Sequence, residues 1–388
     1  MIDVTRARSD TPGCEDRIHL NNAGAALMSR RVLDAQIEYL RLESRLGGYE
    51  AARATEPVFE ETYGLVAALI GASSDEIALV ENATAGWGLA FGSIPFERGD
   101  TILTTEAEYA SNFLSYLKVA RDRGVRVRVV PSDGRGQIDL EALARAIDGT
   151  TRLVSITHVP TNGGLVNPAE EVGAIARQHG IPFLLDACQS VGQLDIDVER
   201  LGCDFLTATG RKFLRGPRGT GFLYVRRSAL EAFEPPMIDL HGATWVDAGR
   251  YELRPDARRY ENWEFNHAAV HGLRQAVAEA LALGTAEIER VVVALGELLR
   301  TELRAAGLET FDLGERRGAI VTTRVPGVPA IEVRDRLHAR GINVSVTGPA
   351  STRIDAERRG LEDLVRLSPH YYNTDAELAA TVEMLQGI

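Results

Sequence analysis

Lys212 is the side chain best suited to covalent chemistry, and it is one of only two lysines in a chain with 43 Lys and Arg residues. It lies in Asp204–Gly221, which begins as an apolar run typical of a short buried strand and ends in a turn rich in glycine. An amine at a strand end can form a Schiff base with a carbonyl cofactor. A surface lysine in a loop is the alternative. Lys118, the other lysine, lies in an amphipathic helical pattern and is expected to be solvated.

A second candidate group follows the apolar run that ends at Leu185. Asp186 comes next, and a carboxylate at the end of a buried strand is costly unless it has a partner. A protonated pyridine nitrogen is a partner that fits. Gln189, three residues later, is then within reach of a phenolic oxygen on the same ring. The alternative is that Asp186 caps the N-terminus of a helix, and this interpretation is favoured when Asp186 is considered by itself.

Hydroxyls and small residues at predicted helix starts offer a phosphate site. Ala83 and Thr84 open a helix directly after a strand, where free backbone N–H groups and the helix dipole attract an anion. Thr209 and Arg211 precede Lys212 and offer a second hydroxyl and a positive charge to the same anion. Tyr109, at another strand end, offers a flat face for ring stacking, although a partly buried core tyrosine fits its position equally well.

The elements that position these groups alternate from residue 15 to residue 225. Helical patterns of about ten residues or slightly more separate the apolar runs, as crossover connections require. We therefore predict a mostly parallel α/β sheet with helices on both faces. In such a sheet ligands bind at the carboxyl ends of the strands. The predicted strands are Ile77–Val80, Thr101–Thr105, Val125–Val130, Leu153–Thr157, Phe183–Asp186, Phe205–Thr209 and Gly221–Val225.

Helix signals before this region include Ser29, which is predicted to cap a helix with Leu33, Ile37 and Leu40 on one face. The pattern changes after residue 235, and Asp247–Glu264 is predicted to be irregular. The segments that follow are predicted as helices His267–Leu283, Ala286–Ala306, Ala330–Arg340 and Asp375–Gln386 and strands Ala319–Val325, Ile342–Val346 and Leu364–Ser368.

These patterns predict two domains. We expect a large domain over residues 15–265 and a small α+β domain built from residues 1–14 and 266–388, with the boundary between 235 and 290.

Composition narrows the class of function. The 388 residues carry a net charge of −12 without a basic run, so nucleic acid and anionic membranes are poor partners. No apolar run approaches the roughly 18 to 20 residues that cross a bilayer, and the N-terminus lacks the apolar stretch of a signal peptide. Three scattered cysteines form neither a CxxC pair nor a disulfide framework. We expect a cytoplasmic protein, and we predict no metal site.

The candidate groups, taken together, resemble those of the class V pyridoxal-phosphate (PLP) enzymes, the aminotransferase class V and cysteine desulfurase group. The resemblance extends from His19–Ala25 through Ile156–Pro168 to Leu364–Thr374, and 26 residues separate Asp186 from Lys212. It implies PLP fold type I, with a mostly parallel seven-stranded sheet in a large domain, a small C-terminal domain, and a homodimer with shared active sites. The residues that carry it are Thr84, Tyr109, Asp186, Gln189, Thr209, Arg211 and Lys212.

The resemblance also implies individual roles. Lys212 would hold the cofactor as a Schiff base and move protons, Asp186 would pair with the pyridinium nitrogen, and Tyr109 would stack on the ring. Arg366 would bind the α-carboxylate of an amino-acid substrate, a task that suits a planar guanidinium. The implied phosphate-binding residues are Ala83, Thr84, Thr209 and Arg211, and the implied substrate-binding residues are Asn22, Thr161, Asn162 and Arg366.

One departure from the family pattern bears on the reaction. Cysteine desulfurases carry a nucleophilic cysteine on a loop of the small domain, but the matching stretch here, Gly341–Arg353, has none. Cys188 is expected to be a small buried residue. The stretch Leu42–Arg53 resembles the N-terminal helices of the ergothioneine-pathway C–S lyases, which also lack that cysteine.

We therefore expect β-elimination (C–S lyase activity) on a sulfur-substituted cysteine, after Lys212 removes the Cα proton. A class V aminotransferase that converts an amino acid to a 2-oxo acid is the first alternative. An amino-acid epimerase and a non-catalytic PLP-binding protein are further alternatives.

Overall fold

The computed structural model describes all 388 residues and contains fifteen α-helices and fourteen β-strands. The helices are α1 (Val4–Ser9), α2 (Arg30–Leu46), α3 (Gly48–Ala54), α4 (Glu56–Ile70), α5 (Ala83–Ser93), α6 (Ala110–Arg123), α7 (Leu140–Ala146), α8 (Ala169–Gln178), α9 (Val198–Leu201), α10 (Arg227–Ala232), α11 (His267–Leu283), α12 (Thr285–Ala305), α13 (Ala330–Ala339), α14 (Arg353–Arg359) and α15 (Asp375–Gln386). The strands are β1 (Ile18–His19), β2 (Ile77–Val80), β3 (Thr101–Thr105), β4 (Arg126–Val130), β5 (Thr151–Thr157), β6 (Phe183–Asp186), β7 (Phe205–Thr209), β8 (Gly221–Val225), β9 (Ala243–Asp247), β10 (Arg250–Leu253), β11 (Val321–Thr323), β12 (Ile342–Asn343), β13 (Ser345–Thr347) and β14 (Leu364–Leu367).

The central feature is a seven-stranded sheet with the order β2-β8-β7-β6-β5-β3-β4. Strands β3 to β7 pair in parallel, whereas β8 runs antiparallel to both of its neighbours. Five predicted strand bounds match those observed, β4 begins one residue later than predicted and β5 two residues earlier. The predicted mostly parallel, seven-stranded α/β sheet is confirmed.

The connection between β7 and β8 explains why β8 reverses direction. It contains only residues 210–220, which is too short for the helical crossover that a parallel neighbour requires. Within it, Gly210 N donates to Thr220 O at 2.9 Å and Gly216 N donates to Gly210 O at 2.8 Å. A Cβ at Gly210 would overlap Thr220 Oγ1, so only glycine fits there. This tightly bonded turn holds Lys212 at the carboxyl end of β7.

Helices cover both faces of the sheet, and the apolar side chains form separate cores. One core includes Tyr63, Phe183 and Phe213, and the opposite face packs around Trp87 and Phe205. A third core lies under the antiparallel sheet β11-β14-β13 and the helices α13 and α15. The segment predicted as one strand over Ile342–Val346 is instead two short strands, because β12 pairs with β1 whereas β13 pairs with β14.

The predicted division into domains remains a prediction. Helix α11, which it assigns to the small domain, contributes Val270, Leu273 and Val277 to the core of the large sheet. Helix α12 contributes Leu299 and Leu303 to the third core. None of the helices combines the length and the hydropathy needed to cross a membrane.

Helix α2 begins as predicted, and its buried residues are Val32 and Tyr39. Val32 N donates to Ser29 Oγ at 3.2 Å, which is the expected cap. Leu33 and Leu40, however, are 40% and 55% exposed, whereas Tyr39 is buried. Leu33, Ile37 and Leu40 share one face of the helix, as their spacing predicts, but the two leucines on that face are exposed. The physical reason is that Tyr39 packs on the imidazole rings of α11, which rotates the leucines outward.

The stretch predicted to be irregular, Asp247–Glu264, contains part of an antiparallel hairpin formed by β9 and β10. Trp245 and Tyr251 face each other across this hairpin, and both side chains are exposed. A hairpin without a buried face has no alternation of apolar and polar residues. The sequence therefore lacked the signal from which strands are recognised.

Candidate active site

A pocket opens where the carboxyl ends of β3, β5, β6 and β7 meet the N-terminus of α5. All eight residues predicted to bind the cofactor line this pocket, although they come from distant parts of the chain. The lining residues are Asn82, Ala83, Thr84, Tyr109, Asn112, Thr157, Val159, Thr161, Asp186, Cys188, Gln189, Thr209, Arg211 and Lys212.

Lys212 lies half-buried in this pocket and makes no ion pair. Burial lowers the pKa of its amine, and the neighbouring positive charges of Arg211 and Arg366 lower it further, while Cys188 and Asp186 act in the opposite direction. A lowered pKa increases the fraction of neutral amine, which is the form that attacks a carbonyl carbon or accepts a proton. The surface lysine, Lys118, instead pairs with Asp122 at 2.7 Å.

Asp186 is buried at the end of β6. Its Oδ2 accepts a hydrogen bond from Asn112 Nδ2 at 2.9 Å, and its Oδ1 accepts one from Cys188 N at 3.0 Å. No α-helix begins at Asp186, since the next one starts at Val198, so the helix-cap alternative does not apply. Burial raises the pKa of Asp186, while the two hydrogen bonds and the charge of Lys212 lower it. The carboxylate has no cation in contact, and a protonated ring nitrogen would supply one.

The N-terminus of α5 forms the anion-binding end of the pocket. Asn82 caps the helix by accepting a hydrogen bond from Ala85 N at 2.9 Å. The backbone N–H groups of Ala83 and Thr84 have no acceptor in the protein. Free N–H groups at the positive end of an eleven-residue helix fit a phosphate.

The loop after β7 brings further groups to the same end of the pocket. Thr209 Oγ1 donates to Thr220 O at 3.1 Å, and Arg211 Nη1 donates to Gly24 O. Arg211 therefore keeps its positive charge without a carboxylate partner, and it also ties the N-terminal segment to the pocket.

Gln189 and Tyr109 flank the remaining space. Gln189 Nε2 donates to Ala23 O at 3.1 Å, while its buried Oε1 has no partner. Tyr109 N donates to Glu108 Oε1 at 2.8 Å and to Thr157 Oγ1 at 3.2 Å, which fixes the start of α6. A buried amide oxygen without a partner is the kind of group that a bound molecule satisfies.

Arg366, on β14 of the three-stranded sheet, contacts the pocket-lining residue Thr161 but does not itself line the pocket. Its Nη1 donates to Thr161 Oγ1 at 2.7 Å and to Thr161 O at 3.2 Å, and its buried Nε has no partner. Burial lowers the pKa of Arg366 to about 10, and the charge of Arg211 also lowers it. A buried guanidinium without a carboxylate partner fits a carboxylate ligand.

The two asparagines predicted to bind substrate lie outside the lining of the pocket. Asn22 is buried, its Nδ2 donates to Ser368 O at 2.7 Å, and its Oδ1 accepts from Tyr372. Asn162 Nδ2 donates to Thr352 Oγ1 at 2.7 Å and to Gly348 O at 3.1 Å. Protein groups therefore already bind both amides, which act as connections between the N-terminal segment, the large sheet and the small domain.

Three residues of the site, Asn112, Thr157 and Glu108, were not predicted from the sequence. Asn112 and Thr157 line the pocket, and Glu108 lies directly behind them. The available signal was the spacing of Glu108 and Asn112, four residues apart at the junction of a strand end and a helix start. A carboxylate just before a helix start lies close to an amide in the first turn of that helix, and Asn112 Nδ2 donates to Glu108 Oε1 at 3.0 Å.

The groups in the pocket fit PLP. Neither Arg211, which lines the pocket, nor Arg366 beside it has a carboxylate within ion-pair distance, so two positive charges lack an ion-pair partner here although the protein has a net charge of −12. A phosphate and a substrate carboxylate would balance that charge, and the ring nitrogen would face Asp186. The fold and these groups define a PLP-dependent enzyme of fold type I.

The chain belongs to the Aminotransferase class-V family, whose sequence profile matches residues 18–380. A probable cysteine desulfurase of Methanothermobacter thermautotrophicus is 31% identical over 392 residues, which cover 98% of this chain and 97% of the relative. A probable cysteine desulfurase of Pyrococcus abyssi is 29% identical and covers 98% of this chain and 96% of the relative.

Solved structures agree in fold. The apo structure of the cysteine desulfurase from Thermococcus onnurineus has a TM-score of 0.92 at 28% identity and covers 100% of this chain and 99% of its own. The cystine C–S lyase C-DES, in complex with its product cysteine persulfide, has a TM-score of 0.87 at 21% identity, with 97% of this chain and 99% of its own covered. The predicted family, fold, enzyme class and cofactor are confirmed.

Proposed function

We propose that this enzyme breaks the Cβ–S bond of a sulfur-substituted cysteine by β-elimination and releases a thiol, pyruvate and ammonia. The observation that carries the proposal is the segment Gly341–Arg353, which has no cysteine, in a chain whose full-length relatives are named cysteine desulfurases. A substrate related to cysteine is therefore combined with a small domain that lacks the sulfur-accepting thiol.

The contacts of this segment support a role other than sulfur transfer. Asn162 binds it at three points, through Gly348 O, Thr352 Oγ1 and the hydroxyl of Thr347. These contacts hold the segment against the loop after β5, next to the pocket-lining residue Thr161. Sulfur released by the reaction then leaves as a small molecule.

Cys188 is the one cysteine that lines the pocket. Burial raises the pKa of its thiol, although the charge of Lys212 counteracts this. Because the thiolate is the nucleophile, a raised pKa argues against Cys188 as the sulfur acceptor.

The substrate is an α-amino acid in this proposal. Arg366 holds its carboxylate in a bidentate hydrogen bond, and Thr161 keeps the guanidinium in place. PLP, when bound, supplies a carbonyl group for the substrate amine and a ring that withdraws electrons from Cα.

Lys212 removes the Cα proton in this proposal. Its lowered pKa favours the neutral amine that can accept a proton, and the protonated amine can then pass that proton to the departing sulfur. Asp186 keeps the ring nitrogen protonated, and Tyr109 keeps the ring plane fixed. Thr84, Thr209, Arg211 and the N-terminus of α5 would hold the phosphate of the cofactor in the pocket that Lys212 also lines.

We also propose that two copies associate over an exposed groove between α3 and the segment before α11. Leu40, Tyr49 and Trp263 are 55%, 71% and 58% exposed along this groove, whose volume is about 710 Å³. Exposed aromatic and aliphatic side chains in one concave surface are typical of protein interfaces. A homodimer, as the family resemblance implies, would cover them.

The test compares products. The purified enzyme is incubated with S-ethylcysteine and, separately, with cysteine, and the products are separated. Each substrate is expected to give one molecule of pyruvate for each molecule of ammonia. Alanine from cysteine would mean desulfuration, and a 2-oxo acid that retains the sulfur would mean transamination; either result contradicts the proposal. Lys212→Ala should abolish product formation, whereas Lys118→Ala is the matched control and should not.

A further inference from the structure

Two buried carboxyl groups lie behind the pocket and share one amide. Asn112 Nδ2 donates one hydrogen to Asp186 Oδ2 at 2.9 Å and the other to Glu108 Oε1 at 3.0 Å. An asparagine amide nitrogen has two hydrogens, so both are used. The reversed amide would place its oxygen against two carboxyl groups. The position of Asp186 is therefore linked to Glu108.

The two oxygens of Glu108 have different partners. Oε1 accepts hydrogen bonds from the backbone N–H of Tyr109 at 2.8 Å, from the side-chain amide of Asn112 and from the hydroxyl of Thr157. Oε2 faces two hydroxyls, Thr104 Oγ1 at 2.9 Å and Tyr116 OH at 3.4 Å. Amide N–H groups only donate, whereas hydroxyls also accept. A proton on Oε2 therefore leaves the hydrogen bonds to Tyr109 and Asn112 intact.

No cation contacts Glu108. The titratable groups that face it are Tyr116 of α6 and Asp186 of β6, and the groups from β3 and β5 are the hydroxyls of Thr104 and Thr157. Burial raises the pKa of Glu108 to about 7, and the charge of Asp186 also raises it. The hydrogen bonds that Glu108 accepts lower the pKa but do not offset the effect of burial. Both protonation states are thus populated near neutral pH.

Glu106, two residues earlier, differs from Glu108 because it has a cation as a partner. Its Oε2 lies 3.1 Å from Arg358 Nη1 and accepts a hydrogen bond from Ser132 N at 3.0 Å. Its contacts serve the junction with the small domain and do not reach Asp186. Glu106 is therefore a matched control on the same segment.

We propose that Glu108 is a positioning residue that controls, through Asn112 and Asp186, how strongly the cofactor's ring nitrogen holds its proton. The ionised carboxyl group increases the negative potential at Asp186 and strengthens that hold, whereas the protonated group weakens it. Glu108 touches neither cofactor nor substrate. This inference rests on the proposed pairing of Asp186 with the ring nitrogen.

The test is a pH titration of the absorbance of the bound cofactor in the holoenzyme, from pH 5.5 to 9. Glu108→Gln mimics the protonated residue, because its amide oxygen replaces Oε1 and its amide nitrogen donates to the hydroxyls. The wild-type spectrum should change with a midpoint near 7, the pKa of Glu108, and Glu108→Gln should lack this change. The cofactor's own titration in Glu108→Gln should shift down by about one unit, which is about tenfold in its protonation equilibrium.

The controls separate the possible failures. Glu106→Gln should titrate like the wild type. If Asp186→Asn leaves the spectrum unchanged, the pairing of Asp186 with the ring is wrong, and the inference falls with it. If Asp186→Asn alters the spectrum while Glu108→Gln behaves as the wild type, only the role of Glu108 is overturned.

A measurement on the wild-type protein covers the case in which Glu108→Gln does not fold. Infrared difference spectra across the same pH range should show a protonated carboxyl band that disappears with a midpoint near 7. The absence of such a band in the holoenzyme would overturn the proposal.

Discussion

Arg366 on β14 donates to Thr161 Oγ1 at 2.7 Å, which joins the three-stranded sheet to the loop after β5 at the edge of the pocket. The bond aims the guanidinium without neutralising it, since no carboxylate lies within ion-pair distance. Substrate recognition would therefore depend on the contact between the two parts of the chain.

Substitution of Arg366 tests this relationship. Arg366→Ala should lower kcat/KM for the amino-acid substrate by about 10- to 100-fold, because hydrogen bonds to charged groups contribute about 1.5 to 3 kcal/mol. Most of the loss should appear in KM. The absorbance of the bound cofactor should be retained. Arg366→Lys keeps the charge but loses the planar fork, so it should recover only part of the affinity. An unchanged KM in Arg366→Ala would contradict the assignment.

Lys212 is expected to be essential for both cofactor attachment and proton transfer. Lys212→Ala should lose the visible absorbance of the Schiff base. Its rate should fall by about 100- to 10,000-fold or more, because a positioned acid or base usually contributes that factor. Absorbance and product formation are measured together. Lys118→Ala should match the wild type in both, because its amine faces Asp122 on the surface.

The stability of the apo-protein should depend on pH through Glu108. Because burial raises its pKa to about 7, the folded state binds more protons than the unfolded state between the ordinary carboxyl pKa and 7. The Glu108 contribution to the free energy of unfolding should therefore fall as pH rises through this window, by on the order of 3 kcal/mol in total.

Urea unfolding of wild type and Glu108→Gln at pH 5.5 and pH 8 measures this effect. Glu108→Gln should gain stability relative to wild type at pH 8 compared with pH 5.5, and Glu106→Gln should not. Comparison of variants removes the contributions of buried histidines such as His158 and His370, which change little between them. A pH-independent difference between Glu108→Gln and wild type would exclude the raised pKa.

The turn that carries Lys212 should not tolerate a side chain at Gly210. Gly210→Ala forces a Cβ against Thr220 Oγ1 and should lower the free energy of unfolding by about 1 to 3 kcal/mol, with weaker cofactor binding. Gly88→Ala in α5 is the matched control, since no atom lies near its added methyl group. It should stabilise the helix by about 0.5 to 1 kcal/mol. Thermal unfolding and cofactor titration give both quantities.

The proposed dimer predicts a change of mass in solution. Light scattering should give twice the chain mass for the wild type. Tyr49→Glu with Trp263→Glu should shift the protein towards the monomer, because charges would be buried in the interface. Leu114→Glu, at an exposed apolar residue on α6 outside the groove, should remain dimeric. A monomeric wild type would contradict the proposal.

The amino-acid sequence by itself determined the sheet and the positions of its chemistry. Short apolar runs that alternate with helical patterns predict strands buried between helices, and a parallel sheet places the carboxyl ends of its strands at one edge. Asp186, Lys212 and Thr84 could therefore be placed together before any coordinates were known. Lys212 alone left a surface lysine open as the alternative, and only its combination with Asp186, Gln189 and the phosphate-binding residues indicated covalent chemistry.

Only the tertiary structure decided which polar groups have partners. Asn22, Asn112 and Asn162 are all asparagines, yet only the side chain of Asn112 donates to Asp186. The partner of each side-chain amide comes from a part of the chain that is remote in sequence. The buried face of α2 and the β9–β10 hairpin likewise depend on neighbours far along the chain. The periodicity of apolar residues indicates which face of a segment is buried. Hydrogen-bond partners and pKa values depend instead on distances in space between segments.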